Sequence, residues 1–349
     1  MTESTPTVLW NDSPVEAELS AAIGWGAVGA TCNPVIALSA LKAEPEVWAA
    51  RVREHVAVYP TLTEDEIGWA LVRQLSVEGA RLLEPAFEKH AGQNGRLSIQ
   101  TDPRFHRDAR RLADQAVEFS RLAPNIIVKI PATSAGIVAI EEAVYQGVSV
   151  NATVSFSVAQ AVAVAEAIER GLRRREGEGL EVSRMGHVCT IMVGRTDDWL
   201  KQVIARDGLD VDPAVCEWAG VAVFKNAYAL YQARKYRTRL LAAAFRNHLH
   251  WSELVGGDVV ISPPFSWQVK ANASGISGRA RMHDPVPPEI MSELRRIGSE
   301  FSRAYDENGM AVAEFDTHGA TVRTLRQFLQ AVTDLELFVR EVMLPDPDR

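Results

Sequence analysis

Cysteine is scarce in this chain. Cys32, Cys189 and Cys216 are odd in number and far apart, a pattern that suggests neither a disulfide framework nor a zinc knuckle and that fits a reducing compartment. Basic charge is in deficit too. The formal net charge of -8 argues against a nucleic-acid partner held by bulk electrostatics, although it leaves room for a small anionic substrate gripped by a local pair of arginines. No uninterrupted apolar run is long enough to span a bilayer, and the polar opening Met1 to Pro6 has neither the basic flank nor the apolar stretch of a signal peptide. The expectation is a cytoplasmic protein with no membrane partner. A phosphate-loop Gly-Lys-Ser/Thr is absent. Gly24-Trp-Gly-Ala-Val-Gly29 does match Gly-x-Gly-x-x-Gly, but a dinucleotide loop follows a strand and opens a helix. Here the glycines follow a helix-like stretch, Val15 to Ile23, and lead into a strand-like run, so they read as a helix-to-strand turn and nucleotide cofactors are not indicated. Repeats, low-complexity tracts and linkers are missing as well. The 349 residues, 47% apolar and 23% charged, therefore read as one globular domain with a large core.

What the chain does have is a recurrence. Short apolar or β-branched runs cover Thr7 to Asp12, Ala27 to Asn33, Arg96 to Asp102, Asn125 to Pro131, Val148 to Val154, His187 to Val193, Arg239 to Phe245 and Asp258 to Pro264. Amphipathic stretches separate them, which is the signature of repeated βα units, and eight is the number that closes a parallel barrel. The helical stretches are Pro34 to Val58, Thr63 to Lys89, Pro103 to Leu122, Ala135 to Gln146, Phe156 to Gly171 and Asp212 to Tyr236, each with apolar residues at three- and four-residue spacing. Thr63-Glu-Asp-Glu66 reads as a capping box. After Pro264 a Gly/Ser-containing loop, Ala273 to Gly278, leads into Pro288 to Asn308 and Thr321 to Met343. The fold expected is α/β: a TIM-type (β/α)8 barrel over residues 1–264, with additional C-terminal helices over residues 265–349 packed on it as a cap. Ala320 to Leu335 is apolar enough to pack on the barrel or on another subunit of a homo-oligomer.

Lys129, inside Asn125-Ile-Ile-Val-Lys-Ile-Pro131, is the most informative residue. A β-branched apolar run is a costly place for an ammonium group, and desolvation favours the neutral amine that attacks a carbonyl to form a Schiff base. An edge-strand lysine snorkelling to solvent is the bland alternative. Other strand-like runs also end in polar residues: Asp12, Thr31 and Asn33, Gln100 and Asp102, Asn151 and Thr153, Thr190, then Arg195 and Arg246. In a parallel barrel those ends share one face. A Schiff-base lysine, a carboxylate to move protons, amides and hydroxyls for sugar oxygens, and two arginines for a phosphate are what an aldolase needs. Singly, each has a structural explanation: Asp12 before Ser13-Pro14 as a turn former, Asn33-Pro34 as a helix start, Asn151 as a strand-end amide. His248, His250 and Glu253 do not read as a metal site, because two histidines two positions apart diverge on a helix. Cys32 lies beside Asn33 but has no histidine near it in sequence.

With these motifs on the page, the chain resembles the transaldolase family of Schiff-base α/β barrels. The resemblance rests on Val8-Leu-Trp-Asn-Asp12, Gly29-Ala-Thr-Cys-Asn-Pro34, Ile127-Val-Lys-Ile-Pro-Ala-Thr133 followed by Gly136, Asn151-Ala-Thr-Val-Ser-Phe-Ser157 with Gln160-Ala161, Val193-Gly-Arg195 with Asp198-Trp199, and Ala244-Phe-Arg-Asn247. It implies Lys129 as the Schiff-base nucleophile and Asp12 as the proton-transfer group in carbon–carbon cleavage. Thr31, Asn33, Asn151 and Thr190 would bind the ketose, Thr153 would help place a catalytic water, and Arg195 with Arg246 would take the phosphate. It also implies sugar-phosphate substrates and neither metal nor organic cofactor.

Three positions depart from the family pattern. Gln100 stands where a glutamate is usual, and an amide can orient a water but cannot take its proton. Fructose-6-phosphate aldolase-like relatives carry glutamine there too, but with a tyrosine where this chain has Met192. Ala244 replaces a serine that commonly faces the phosphate. The reaction expected is transfer of a three-carbon dihydroxyacetone unit from a ketose phosphate to an aldehyde acceptor. Direct aldol cleavage or synthesis is the alternative, and a weakly catalytic sugar-phosphate binding protein ranks lower.

Overall fold

The computed structural model describes residues 4–276 and 278–347. Residues 1–3 of the polar opening, Ser277 of the Ala273 to Gly278 loop and residues 348–349 lie outside the described residues. Eight parallel strands, β1 (Val8–Asn11), β2 (Ala27–Thr31), β3 (Arg96–Gln100), β4 (Ile126–Pro131), β5 (Val150–Ser155), β6 (Val188–Ile191), β7 (Arg239–Ala243) and β8 (Val260–Ser262), pair in sequence order and close into a barrel through β1 and β8. Each lies within one of the eight runs read from the sequence or overlaps it by all but a residue. The fold is the expected TIM-type barrel with additional C-terminal helices.

Period-two alternation sorts each strand's side chains between barrel interior and helical shell. Trp10, Ile127, Val188, Leu241 and Val260 form a buried apolar cluster. Two residues further along the same strands come Asp12, Lys129, Thr190, Ala243 and Ser262. The barrel is thus floored by an apolar layer, and the next layer toward the C-terminal strand ends is largely polar. Alternate residues such as Leu9, Leu97, Val128 and Ile261 face outward into the main core between barrel and helices.

The helices begin where side chains can satisfy the free N–H groups. Thr63 and Glu66 make the reciprocal capping box on the helix Glu64–Lys89, and Thr133 and Ser157 cap the helices that follow β4 and β5. Several predicted helices are interrupted. The stretch Pro34 to Val58 is two helices, Pro34–Ala43 and Pro45–Val58, because Pro45 lacks an N–H and drives Glu44 out of helical conformation. Pro103 to Leu122 is a single 3-10 turn, Pro103–Phe105, and then the helix Ala109–Ser120, each started by an aspartate cap. Asp212 to Tyr236 likewise opens as a 3-10 turn, Pro213–Trp218, before the helix Ala219–Arg234. Gly298, at φ +83°, splits the segment after Pro288 into Pro288–Arg296 and Ser299–Tyr305. The sixth run, His187 to Val193, is longer than its strand: β6 stops at Ile191, and Val193 already opens a helix to Asp207. The Gly24 to Gly29 segment is the helix-to-strand turn expected, with Gly26 at φ +95°.

The last helix, Gly319–Met343, packs on the three helices that lie between β2 and β3 and also crosses the strand-end face. There Ala320, Leu325 and Phe328 bury against Val154, Phe156 and Met192. Among the described residues no helix is long and apolar enough to cross a membrane.

Candidate active site

Lys129 is 4% exposed. Its register partners are Gln100 on β3 and Asn151 on β5, so the three side chains share one height and one face. Burial pulls the lysine below its ordinary pKa, and Arg195 pulls the same way; the charge of Asp12 is the chief influence against them. The physical origin is the floor two residues down: with Ile127 and Trp10 beneath it, the ammonium has lost its hydration. Asp12 is half-buried and shifts the opposite way, raised chiefly by desolvation and held back by Lys129, by a hydrogen bond from Thr31 Oγ1 to its Oδ1, and by the charges of Arg195 and Arg246. Burial thus pushes both members of the pair toward neutrality. Cys32, buried in the same place, is pushed up to about 12, mainly by desolvation, and stays a thiol.

Hydrogen bonds fix the surrounding polar groups. Thr31 Oγ1 lies 3.3 Å from Ser262 Oγ, tying β2 to β8. Asn151 is held from both sides: its Nδ2 donates to Ser98 Oγ at 3.0 Å, and Thr190 Oγ1 donates to its Oδ1 at 2.7 Å. Gln100 Oε1 and Thr153 Oγ1 are buried without a partner among the described residues. Each such atom costs about 1–3 kcal/mol, and such atoms next to a buried lysine mark where a water or a substrate hydroxyl binds. Asn33 stands differently: its Oδ1 accepts from Val35 and Ile36 N–H and caps the following helix. The structural reading of that asparagine holds, and only its amide nitrogen is left for a ligand. Asp102 is drawn away from the cluster, into an ion pair with Arg104 at 2.6 Å.

The two arginines meet at the rim. Arg195 sits in the first turn of the helix Val193–Asp207, and Arg246 follows β7. Arg195 donates to Thr324 Oγ1 and Gln327 Oε1 of the last helix, and its guanidinium lies 5.6 Å over the Phe328 ring. Burial together with the charge of Arg246 draws Arg195 down to about 10, a value that leaves it a cation at neutral pH. Arg246 donates to Asp198 Oδ2 at 3.0 Å and to the carbonyls of Ala244 and Phe245. Met192, buried in the apolar cluster with Phe156 and Phe328, brings no hydroxyl to the site.

The sequence reading missed Ser98 and Ser262, although each lies on the inward face of its strand and the period-two pattern pointed to both. It also missed Thr324 and Gln327, for which no local signal exists: they lie 129 and 132 residues from Arg195.

A neutral-leaning amine beside a carboxyl, on a dry floor and with two guanidinium groups at the rim, can add to a carbonyl while an anion anchors the far end of the molecule. This defines a (β/α)8 barrel with a buried lysine and a carboxyl together at its strand ends. Comparison with known proteins agrees in the details of sequence. The profile of the transaldolase/fructose-6-phosphate aldolase family matches residues 9–335, and the chain belongs to that family. It is 30% identical over 312 residues to the transaldolase of Thiobacillus denitrificans, covering 87% of this chain and 85% of that one. It is 34% identical over 213 residues to the transaldolase of Mycolicibacterium smegmatis, covering 59% and 55%. Against transaldolase 2 of Streptomyces avermitilis it is 32% identical over 221 residues, covering 62% and 58%. The chain therefore spans little more than half the length of the last two relatives.

Proposed function

We propose that this chain is a transaldolase-type enzyme that moves a three-carbon dihydroxyacetone unit from a ketose phosphate to an aldehyde acceptor. The observation that carries the reading is the juxtaposition of Lys129 and Asp12, both desolvated, at one mouth of the barrel. Neutral Lys129 adds to the C2 carbonyl. The carbinolamine loses water to give the imine, with Gln100 and Thr153 orienting that water. Asp12 takes the proton from the C4 hydroxyl as the C3–C4 bond breaks; the aldehyde leaves, and the bonding pair stays on C3 as an enamine on Lys129. Attack of the enamine on the acceptor aldehyde, with the proton returned from Asp12, reverses the sequence. Asn151, Thr31, Thr190 and the amide nitrogen of Asn33 hold hydroxyls, while Arg195 and Arg246 hold the phosphate. Side chains alone carry these steps, without a metal or organic cofactor.

Gln100 favours a second reading. In it the enamine is protonated at C3, water adds to the resulting imine, and dihydroxyacetone leaves as Lys129 regains its amine, which is direct aldol chemistry that needs no acceptor. Sodium borohydride with fructose 6-phosphate, followed by peptide mass mapping, tests the shared step. The adduct is expected on Lys129 and is expected to vanish in Lys129→Ala; a folded protein that gives no Lys129 adduct with short or long ketose phosphates would move the assignment to a binding protein. Product analysis with and without acceptor separates transfer from direct cleavage. The cytoplasm as the site of action, homo-oligomerisation, and residues 265–349 as a cap within the barrel's own structural domain belong to the same proposal.

A further inference from the structure

Asp197 and His250 form a pair that none of these roles uses. Both are buried, at 1% and 0% exposed. Asp197 lies two residues beyond Arg195 on the helix Val193–Asp207, and His250 lies four beyond Arg246 in the short helix Leu249–Ser252. Their bonds define the imidazole's protons. The Arg246 main-chain N–H donates to Nδ1 at 3.0 Å, so Nδ1 bears a lone pair. Nε2, 2.7 Å from Asp197 Oδ2, therefore bears the hydrogen and donates it to the carboxylate. The other carboxylate oxygen accepts from Gly220 N–H at 2.8 Å.

The pair stands where three stretches of main chain touch. A Cβ on Gly194 would come within 2.0 Å of Ala244 O, and one on Gly220 within 2.3 Å of Val193 O. Just before Arg246 the chain passes through Ala244 at φ +64°, a left-handed conformation that a residue with a Cβ keeps only when its surroundings over-determine it. The hydrogen bond from Arg246 N–H to His250 is one such constraint, and the Asp197 bond keeps the imidazole in the tautomer that can accept it.

We propose that His250, oriented by Asp197, is a positioning residue of the anion site: it fixes the main chain of Arg246 so that the guanidinium meets a substrate phosphate beside Arg195. This rests on the anion-site reading of Arg195 and Arg246. Two substitutions split the functions of the imidazole. In His250→Asn the side-chain oxygen falls where Nδ1 was and can accept from Arg246 N–H; in His250→Gln the amide reaches the place of Nε2 and serves Asp197 alone.

The probe is inorganic phosphate, titrated calorimetrically into the full chain, alongside steady-state kinetics with fructose 6-phosphate. His250→Gln is expected to weaken phosphate about tenfold and to raise KM about as much, with kcat within about twofold of the parent. His250→Asn is expected to stay within about threefold in affinity. Unchanged phosphate affinity in His250→Gln, while Arg246→Ala loses it, overturns the proposal. So does an equal loss of kcat, affinity and thermal stability in both His250 variants, which is the mark of general structural damage. Should His250→Gln not fold, Asp197→Asn carries the test: weaker phosphate binding with kcat retained supports the pair, and wild-type affinity overturns it. Phosphate binding unaltered in Arg246→Ala refutes instead the anion site on which the proposal rests.

Discussion

Gly29→Ala tests the floor beneath the lysine. Gly29 faces the barrel interior, and a Cβ there would lie 2.4 to 2.6 Å from three atoms of the Trp10 indole. Carbon atoms pack at about 3.5–4.0 Å, so the ring would have to withdraw by about 1 Å. It has nowhere to go: Trp10, Ile127, Leu241 and Val260 are all 0% exposed. The backbone itself tolerates alanine, since Gly29 is not among the positive-φ glycines, so the whole penalty is overpacking. Overpacking typically costs about 1–3 kcal/mol, and a rigid ring in a closed layer belongs at the top of that range. At this chain length a loss of about 3 kcal/mol lowers Tm by roughly 4 °C. Trp10 is two residues before Asp12, so displacing the ring also misplaces the carboxylate, and kcat should fall about 10-fold to 100-fold.

The assay is thermal and urea unfolding of Gly29→Ala, Trp10→Leu and the double variant. Trp10→Leu removes two of the three clashing atoms and leaves a cavity, for a cost of about 2–4 kcal/mol. The double variant should be less destabilised than the sum of the two by at least about 1 kcal/mol. A Gly29→Ala change under about 0.5 kcal/mol, or strict additivity in the double variant, would refute the reasoning.

The remaining predictions concern the chemistry. Lys129 must be neutral to attack, so imine formation should rise with pH through a value below the ordinary lysine pKa. Asp12 is the largest influence holding that value up, so Asp12→Asn should move the acid limb of borohydride trapping to lower pH while cutting carbon–carbon cleavage about 10²–10⁴-fold; a limb that moves to higher pH contradicts the pairing. Gln100→Glu should speed carbinolamine formation and breakdown about tenfold and shift activity toward acceptor-dependent transfer, as read by single-turnover trapping and product ratios. Arg195→Ala should raise KM for fructose 6-phosphate about 10–100-fold with a smaller fall in kcat, and equal handling of phosphorylated and unphosphorylated sugars by both Arg195→Ala and Arg246→Ala means that the anion binds elsewhere.

The local sequence was enough to determine the barrel and the face on which its polar residues gather. Strand-forming runs of period two, capped helices between them and a polar residue at the end of run after run are properties of short segments, and short segments decide propensity and alternation. Breaks inside helices were less legible because a 3-10 turn and an α-helical turn share the same apolar spacing, as at Pro103–Phe105 and Pro213–Trp218. Tertiary structure alone decided how the polar residues are used. Asn33 and Asp12 are both strand-end polar residues in the sequence, yet one carbonyl is spent on a helix cap and the other side chain lies beside Lys129. The roof over the site, with Thr324 and Gln327 on Arg195, and the Asp197–His250 bond join residues from 53 to 132 positions apart. No segment of sequence records such contacts, because the desolvation and geometry that give them their energy exist only after the barrel has closed and the last helix has crossed its mouth.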